Sequence, residues 1–424
     1  MAKIGYLGLG AMGGALSAHL ARGNNLVVTD RNPLVVAALV AQGATAAASA
    51  ADLARACDII ILCLPRTSDV RDALFASGGL AEGLTPGKLV IDQTSGKPGQ
   101  TAKIAADLAK KGVQMMDAPV SGGIPAAQAG KVTIIASGPD AAWVRAEPVL
   151  RAMTDKVFRC SDRVGDGQAL KLVNNAIGAG YRMATLELVA LGRKAGLGLA
   201  TMVAALNVGP GASFTSRNML AGLVEGRSTT NFALSLMVKD LNEALALGVT
   251  TGSPMSMTAG ARSLMQMGLH LLGKDAKLDD VIPLTEKLSG AMLVGEQTEA
   301  NGTLLEQIVL ATVSCNLIAL AECLAMGRRY GLVGNEMARV LAVGSAWCAV
   351  CDDVLPAMAK GESPALRWTL KDAENALAAL SLQAAGLGVP LMLPQMALAL
   401  VQDAQARLGA KATLGQLTFG YDQI

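Results

Sequence analysis

The chain has 424 residues, a formal net charge of +2 and no run of like charges, which excludes a nucleic-acid footprint or an anionic membrane surface as partner. Hydrophobic residues make up 52% but aromatics only 3%, so Ala, Leu, Gly and Val carry the excess, a mixture suited to packed helices and a buried parallel sheet. Seven scattered cysteines fit a reducing compartment, and the glycine-rich turn comes too early for a signal peptide. A cytoplasmic protein of two or three domains is expected.

The first 162 residues alternate β-rich runs with Ala-rich helical stretches. Strands are predicted at "KIGYLGLG", "LVVTD" (26–30), "DIIILCLP" (58–65), "KLVIDQTS" (88–95), "VQMMDAPVS" (113–121) and "KVTIIASG" (131–138). That alternation predicts an α/β Rossmann-type doubly wound sheet. Beyond 163 no such runs recur, and long Ala/Leu-rich helices broken by Gly and Pro follow. The most apolar window, 308–327, is about one membrane thickness long. It contains Asn316 and Glu322 and lacks interfacial aromatics, so a buried helix is expected there and no membrane partner.

The helical part repeats itself. "GDGQALKLVNNAIGAG" (165–180) is matched by "ANGTLLEQIVLATVSC" (300–315), and "LGRKAGL" (191–197) by "MGRRYGL" (326–332). "MVAALNVG" (202–209) echoes "MARVLAVG" (337–344), "VKDLNEAL" (238–245) echoes "LKDAENAL" (370–377), and "LLGKDAKL" (271–278) echoes "RLGAKATL" (407–414). Ordered echoes at nearly constant offset predict a tandem duplication, with domains at 1–162, 163–290 and 291–424 and a connector near 279–301. The copies differ where it matters: Lys171, Asn174 and Asn175 of the first are Glu306, Val309 and Leu310 in the second.

"GLGAMG" sets Gly8, Gly10 and Gly13 in the G-x-G-x-x-G spacing, with Ala11 and Met12 between them, directly after a strand and opening a helix. Gly8 permits the turn, Gly10 lets a pyrophosphate approach the backbone, and Gly13 lets helix pack on strand. The pyrophosphate then meets a helix N-terminus. Asp30, ending the next strand, is placed to accept the adenosine ribose hydroxyls and to repel a ribose phosphate, favouring NAD; Arg31 beside it leaves NADP open. Cys348 and Cys351 form a CxxC, but one pair cannot complete a tetrahedral site. His19 and His270 stand without ligand spacing, so no metal is expected.

The motifs "GLGAMG", "DQTSGKPG", "DAPVSGG" followed by "AAQAG", "GDGQALKLVNN" and "FALSLMVKDL" (232–241) occur in one order. Together they resemble the β-hydroxyacid dehydrogenase family, which includes 3-hydroxyisobutyrate dehydrogenase and tartronate semialdehyde reductase and is related to 6-phosphogluconate dehydrogenase. The resemblance covers roughly 1–290. It implies hydride transfer between NAD(P) and a small β-hydroxy or oxo acid. It assigns Lys171 as general acid/base, its pKa lowered by desolvation and a cationic oxidised nicotinamide. Asn175, at i+4 on the same helix face, orients the substrate. Ser121, Gly122 and Gly123 hold the carboxylate through a hydroxyl and unobstructed backbone N–H groups; the bland alternative is a glycine turn. Leu64, Pro65, Thr94 and Ser95 line the nicotinamide side, where open α/β sheets place ligands. Lys239 lies near the nicotinamide and substrate end, although Lys239–Asp240 also reads as a surface ion pair echoed by Lys371–Asp372.

Three other readings compete: a non-catalytic NAD-binding module, an imine reductase, and a 6-phosphogluconate dehydrogenase-like sugar-acid enzyme. In that last enzyme a histidine precedes the Asn of the lysine helix, whereas Asn174 stands here. Single-copy family members generally dimerise through the helical domain. The stripped second copy therefore reads as a built-in neighbour, an internal pseudo-dimer with one active site, which leaves a further homodimer open.

Overall fold

The computed structural model describes residues 2–23, 25–295 and 301–421. Residues 296–300 of the expected connector, including the first residue of the second repeat's "ANGT", lie outside the described residues. Contacts divide the chain into two compact units, 1–172 and 173–424.

The first unit is built on a twisted sheet. Strands β1 (Ile4–Leu7), β2 (Leu26–Thr29), β3 (Thr45–Ala46), β4 (Ile59–Leu62), β5 (Leu89–Asp92) and β6 (Gln114–Asp117) pair in the order β3-β2-β1-β4-β5-β6. All of those pairings are parallel. Strands β7 (Val120–Ser121), β8 (Thr133–Ser137) and β9 (Val157–Ser161) extend it, with β8 antiparallel to β6 and β7 and parallel to β9. The single strand expected over 113–121 is broken at Ala118–Pro119, where proline offers no N–H to a ladder. The two-residue β3 and the mixed "VFRCS" of β9 were too weakly patterned to be read from sequence.

Helices α1 (Ala11–Ala21), α2 (Pro33–Val40), α3 (Ala50–Ala56), α4 (Thr67–Phe75), α5 (Pro98–Ala109), α6 (Gly123–Gln128) and α7 (Asp140–Arg151) connect the strands. The period-2 alternation of a strand divides its side chains between two cores. Ile59 and Ile61 join Leu16, Leu20 and Leu150, whereas Ile60 and Leu62 join Leu53, Leu74 and Leu108. Each such burial contributes about 1.5–3 kcal/mol.

Helix α8 (Asp166–Lys194) begins in the first unit, and the boundary falls inside it, after Leu172 rather than at the expected 162. Hydrogen bonds explain the shift: the helix start is tied to the sheet, as described below. The second unit then contains α9 (Leu199–Val208), α10 (Ala221–Val224), α11 (Leu234–Thr251), α12 (Ser256–Leu272) and α13 (Val281–Ser289). It continues with α14 (Gly302–Tyr330), α15 (Gly334–Leu341), α16 (Cys351–Ala359), α17 (Leu370–Leu387), α18 (Met392–Leu408) and α19 (Leu417–Gly420). Part of the expected connector is therefore helical, as α13. Among the described residues no strand follows β9; three isolated bridges do occur.

Helices α8 and α14 each have 29 residues, α11 and α17 have 18, and α12 and α18 have 17. The bridge Ala233–Lys277 ahead of α11 has a counterpart, Thr369–Thr413, ahead of α17. This register corrects one expected echo. Lys371–Asp372 lies in the first turn of α17, with Asp372 in a capping box with Thr369, whereas Lys239–Asp240 lies a turn further into α11. The two "KD" pairs are not counterparts, so the echo carries no argument about Lys239.

The two helical sets cap one another. The residues preceding α12 and α18 are Met255 and Leu391, which give no side-chain cap. Instead Glu322 of α14 accepts the backbone N–H groups of Met257 (3.0 Å) and Thr258 (2.7 Å) and the Thr258 hydroxyl. Reciprocally, Glu187 of α8 accepts those of Met392 and Leu393, both at 2.9 Å. A carboxylate at a helix N-terminus satisfies orphan donors and meets the favourable end of the dipole. Each set supplies the cap the other lacks, and 173–424 forms one compact unit. Helix α14 is long and apolar enough to cross a membrane, but 89% of its apolar window is buried within the protein.

Burial, partly offset by the cap hydrogen bonds, pushes Glu187 and Glu322 each up to about 7. With pKa values raised above those of the unfolded chain, the native state holds more protons between pH ~4 and ~7. Their contribution is complete below that window and is lost as pH rises through about 7. Denaturant unfolding should therefore show stability falling from pH 5 to 8, and Glu322→Gln should flatten the fall by up to about 3 kcal/mol. An unchanged slope in Glu322→Gln would show that this carboxyl does not titrate in the native state.

Candidate active site

Gly8 follows β1 with φ +95°, and a Cβ there would lie 2.3 Å from the Cys63 carbonyl oxygen. A Cβ on Gly13, in the first turns of α1, would lie 1.9 Å from the Gly8 carbonyl oxygen. Both glycines are required by close backbone approach. Gly10 differs: it sits at the N-cap of α1 with φ −60°, and a Cβ there would meet nothing within 4 Å. It opens on a groove of about 510 Å³ that starts at Leu9, Gly10 and Ala11 and runs along α1 to Arg22. Met12 is the next residue of α1. Two glycines that close a turn and a third that faces open space at a helix N-terminus fit a pyrophosphate.

Asp30 has a structural task beside the expected one. Its Oδ2 accepts the Leu9 N–H at 2.6 Å and its Oδ1 the Asn32 N–H at 2.8 Å, so it fixes the glycine loop while a carboxylate keeps further lone pairs for ribose hydroxyls. Arg31 is exposed beside it. At the carboxyl ends of β4 and β5, the Leu64 N–H donates to Thr94 Oγ1 at 3.1 Å, and the Thr94 N–H to Asp92 Oδ1 at 2.9 Å. Leu64, Pro65, Thr94 and Ser95 are thus gathered on two adjacent strand ends. Ser121 ends β7 and is buried, and Gly122 and Gly123 follow with φ +130° and +76°.

The sequence reading quoted Asp117 within "DAPVSGG" but missed its role. This fully buried carboxylate accepts the Gly165 N–H on Oδ1 and the Gln168 N–H on Oδ2, both at 2.7 Å. The Ser137 hydroxyl donates to it at 2.5 Å and itself accepts the Gly167 N–H at 2.8 Å. The start of α8 is thereby capped from the sheet. Gly165 and Gly167 are dictated by this approach, since a Cβ would come within 2.7 Å of the Pro98 oxygen and 2.4 Å of the Ile135 oxygen respectively. Gln168 adds a second tie, donating to Asp92 and to the Thr94 carbonyl and accepting from Thr101. Burial outweighs these bonds and pushes Asp117 up to about 7. The available signal was a single acid ending the apolar run "VQMMD".

Lys171 follows one turn after this anchor and is 6% exposed, so it is no solvated surface lysine. Asn175, a further turn along, donates from Nδ2 to Asp240 Oδ2 at 2.7 Å and accepts from Asn174 Nδ2 at 3.2 Å. Lys239 Nζ lies 3.0 Å from Asp240 Oδ1. Asp240 is 1% exposed and faces Asn175, while Lys239 is partly buried, so the ion pair is not a freely solvated one. The CxxC sulfurs lie 3.4 Å apart, with the Tyr181 hydroxyl 3.1 Å from Cys348 Sγ. Among the described residues no group of three or more His, Cys, Asp or Glu is arranged for a metal.

The sheet order and the glycine turn define a dinucleotide-binding domain. The NAD-binding domain model of 6-phosphogluconate dehydrogenase matches residues 3–161. The model described as NAD-binding of NADP-dependent 3-hydroxyisobutyrate dehydrogenase matches 165–285 and again 303–417. The chain is 35% identical to 2-(hydroxymethyl)glutarate dehydrogenase of Eubacterium barkeri over 299 residues, 70% of this chain and 98% of that protein. The structure of 3-hydroxyisobutyrate dehydrogenase from Salmonella typhimurium is similar with TM-score 0.60 and 31% identity, covering 67% of this chain and all of that one. Plasmodium falciparum 6-phosphogluconate dehydrogenase shares the fold over 95% of this chain and 92% of its own, with TM-score 0.69 and 15% identity. The protein belongs to the β-hydroxyacid dehydrogenase family.

The glycines separate fold from binding. Gly10→Ala should keep the melting temperature and weaken NADH binding about tenfold, or ~1.4 kcal/mol, in a fluorescence titration. Gly13→Ala should cost about 3 kcal/mol of stability. Equal effects of the two substitutions on melting would contradict these assignments.

Proposed function

We propose that this protein interconverts a small β-hydroxy acid and its oxo acid or semialdehyde, with one active site per chain and NAD as the preferred partner. The observation that carries the reading is the buried Lys171–Asn175 pair on a helix whose start is pinned by Asp117. Bound nicotinamide supplies the hydride acceptor in one direction and the donor in the other.

The chain's own groups do the rest. Ser121 and the backbone of Gly122 and Gly123 hold the substrate carboxylate, because positive-φ glycines turn successive N–H groups toward one anion. Lys171 takes the alcohol proton on Nζ as the carbinol hydrogen leaves, and returns it in reduction. The proton is accepted by the neutral amine form of the side chain. Asn175 orients the hydroxyl. Lys239 adds positive charge at the carboxylate and nicotinamide end, with Asp240 beside it. Leu64, Pro65 and Thr94 shape the nicotinamide side, and Asp30 takes the ribose hydroxyls.

The second helical set is a degenerate copy of the first that serves as the neighbour a homodimer would provide. The double family match, the equal helix lengths and the reciprocal caps support this. Glu306, Val309 and Leu310 leave that copy without the acid/base group or amides. A cytoplasmic location belongs with the same reading. A sugar-phosphate substrate is disfavoured by Asn174 in place of histidine.

The test is reduced-nicotinamide absorbance over a panel of three- to six-carbon hydroxy acids, with NAD and with NADP. Wild type should turn over at least one acid, and Lys171→Ala should lose about 10²–10⁴ in kcat. A fully active Lys171→Ala sinks the mechanism, while silence across the panel with NADH still bound points to a non-catalytic module. Two NADH per chain in a calorimetric titration would refute a single site.

A further inference from the structure

We infer that Ser345, borne by the second helical set, is a positioning residue for substrate, acting through Asn174 on Asn175; the inference rests on the function proposed above. The Ala346 backbone N–H donates to Asn174 Oδ1 at 3.2 Å. Asn174 Nδ2 donates to Ser345 Oγ at 2.8 Å and to Asn175 Oδ1 at 3.2 Å, and Asn175 Nδ2 donates to Asp240 at 2.7 Å.

The two ends of this chain fix its direction. A backbone N–H only donates and a carboxylate only accepts, so each amide between them has one permitted orientation. Asn175 is left with one N–H and one lone pair in defined places, which is what a group that orients a hydroxyl requires. Without Ser345 and Ala346, Asn174 would lose two of the partners that set its amide; Asp240 would still hold Asn175 Nδ2, but the donor aimed at Asn175 Oδ1 would no longer be fixed.

The loop is built to stay where it is. Ser213 and Cys348 form a bridge, the Phe214 N–H donates to the Trp347 carbonyl at 2.9 Å, and the Ala349 N–H donates to that of Ala212 at 2.8 Å. Gly344 permits the close approach, since a Cβ there would lie 2.3 Å from Asn174 Oδ1. Ser345 also packs over Gly178, one turn beyond Asn174.

The counterpart loop shows that this is specialisation rather than repeat architecture. "LNVGPGAS" aligns with "LAVGSAWC", so Pro210 stands where Ser345 does and Gly211 where Ala346 does. A Cβ on Gly211 would be 3.6 Å from a Val309 methyl, so the same loop-to-helix contact is made there without a polar group. The hydroxyl is kept only against the helix that carries Lys171.

The experiment compares wild type, Ser345→Ala, Asn174→Asp and Lys171→Ala in full-length protein. Ser345→Ala should lower kcat about tenfold, the worth of one hydrogen bond, with NADH affinity and melting temperature unchanged. Asn174→Asp is isosteric but places an acceptor against Asn175 Oδ1. It should lose more at neutral pH, and its rate relative to wild type should recover as pH falls and the new carboxyl can donate. A second readout is free of turnover: the side-chain amide resonance of Asn175 in protein labelled with 15N-asparagine, identified with Asn175→Asp. It should shift in Ser345→Ala. Unchanged kcat in Ser345→Ala and Asn174→Asp while Lys171→Ala is dead overturns the positioning role and spares the proposed function. An equal loss of melting temperature and rate with an unmoved Asn175 resonance also overturns it. If wild type turns over no acid, the function falls, and the resonance alone decides the positioning.

Discussion

The buried carboxylate of Asp117 is the constraint on which the chemistry depends. It ends β6, the last of the continuous parallel run, and accepts the first free N–H groups of α8. A helix interior fixes the relative placement of neighbouring residues to within the stiffness of the backbone, so holding its first turn holds Lys171 with it. Gln168 repeats the tie through Thr94, a residue on the expected nicotinamide side. The end of β5 and the start of α8 are therefore joined by one side chain. The cost is a carboxylate in a dry site, seen in the raised pKa of Asp117.

The glycine turn, the sheet and the "GDGQALKLVNN" helix were legible in the sequence because each is a local pattern with a local cause. Gly8 and Gly13 are dictated by backbone oxygens close at hand, and alternating β-branched residues by the two covered faces of the sheet. What escaped was set by distant partners. Asp117 looked like one polar residue in a strand end, because the N–H groups it serves lie 48 and 51 residues away. Lys239–Asp240 kept a surface-pair alternative echoed at Lys371–Asp372, because letters alone do not show that helix α17 starts one turn later in that match. Likewise Met255 and Leu391 gave no sign of capped helix starts, since the caps are glutamates of the opposite repeat.

Those crossed caps explain why both helical sets are kept whatever each contributes to binding. Glu187 and Glu322 satisfy N–H groups that no nearby side chain can reach, and removing either would leave buried donors unpaired, at about 1–3 kcal/mol each. Such a penalty falls on residues of the scaffold and not on Lys171 or its counterpart Glu306. Packing in α14 is therefore held by its buried face and Glu322.

Joining two copies in one chain also frees the copies from being alike. In a homodimer the loop that meets Asn174 and the loop that meets its symmetry mate are one sequence, and any change alters both. Here the loop against Asn174 carries Ser345, and the loop against Val309 carries Pro210 and Gly211. A proline in place of Ser345 would offer no hydroxyl to Asn174, and a serine in place of Pro210 would find no amide. Each loop is matched to its own partner, an asymmetry that only a covalently joined pair can hold.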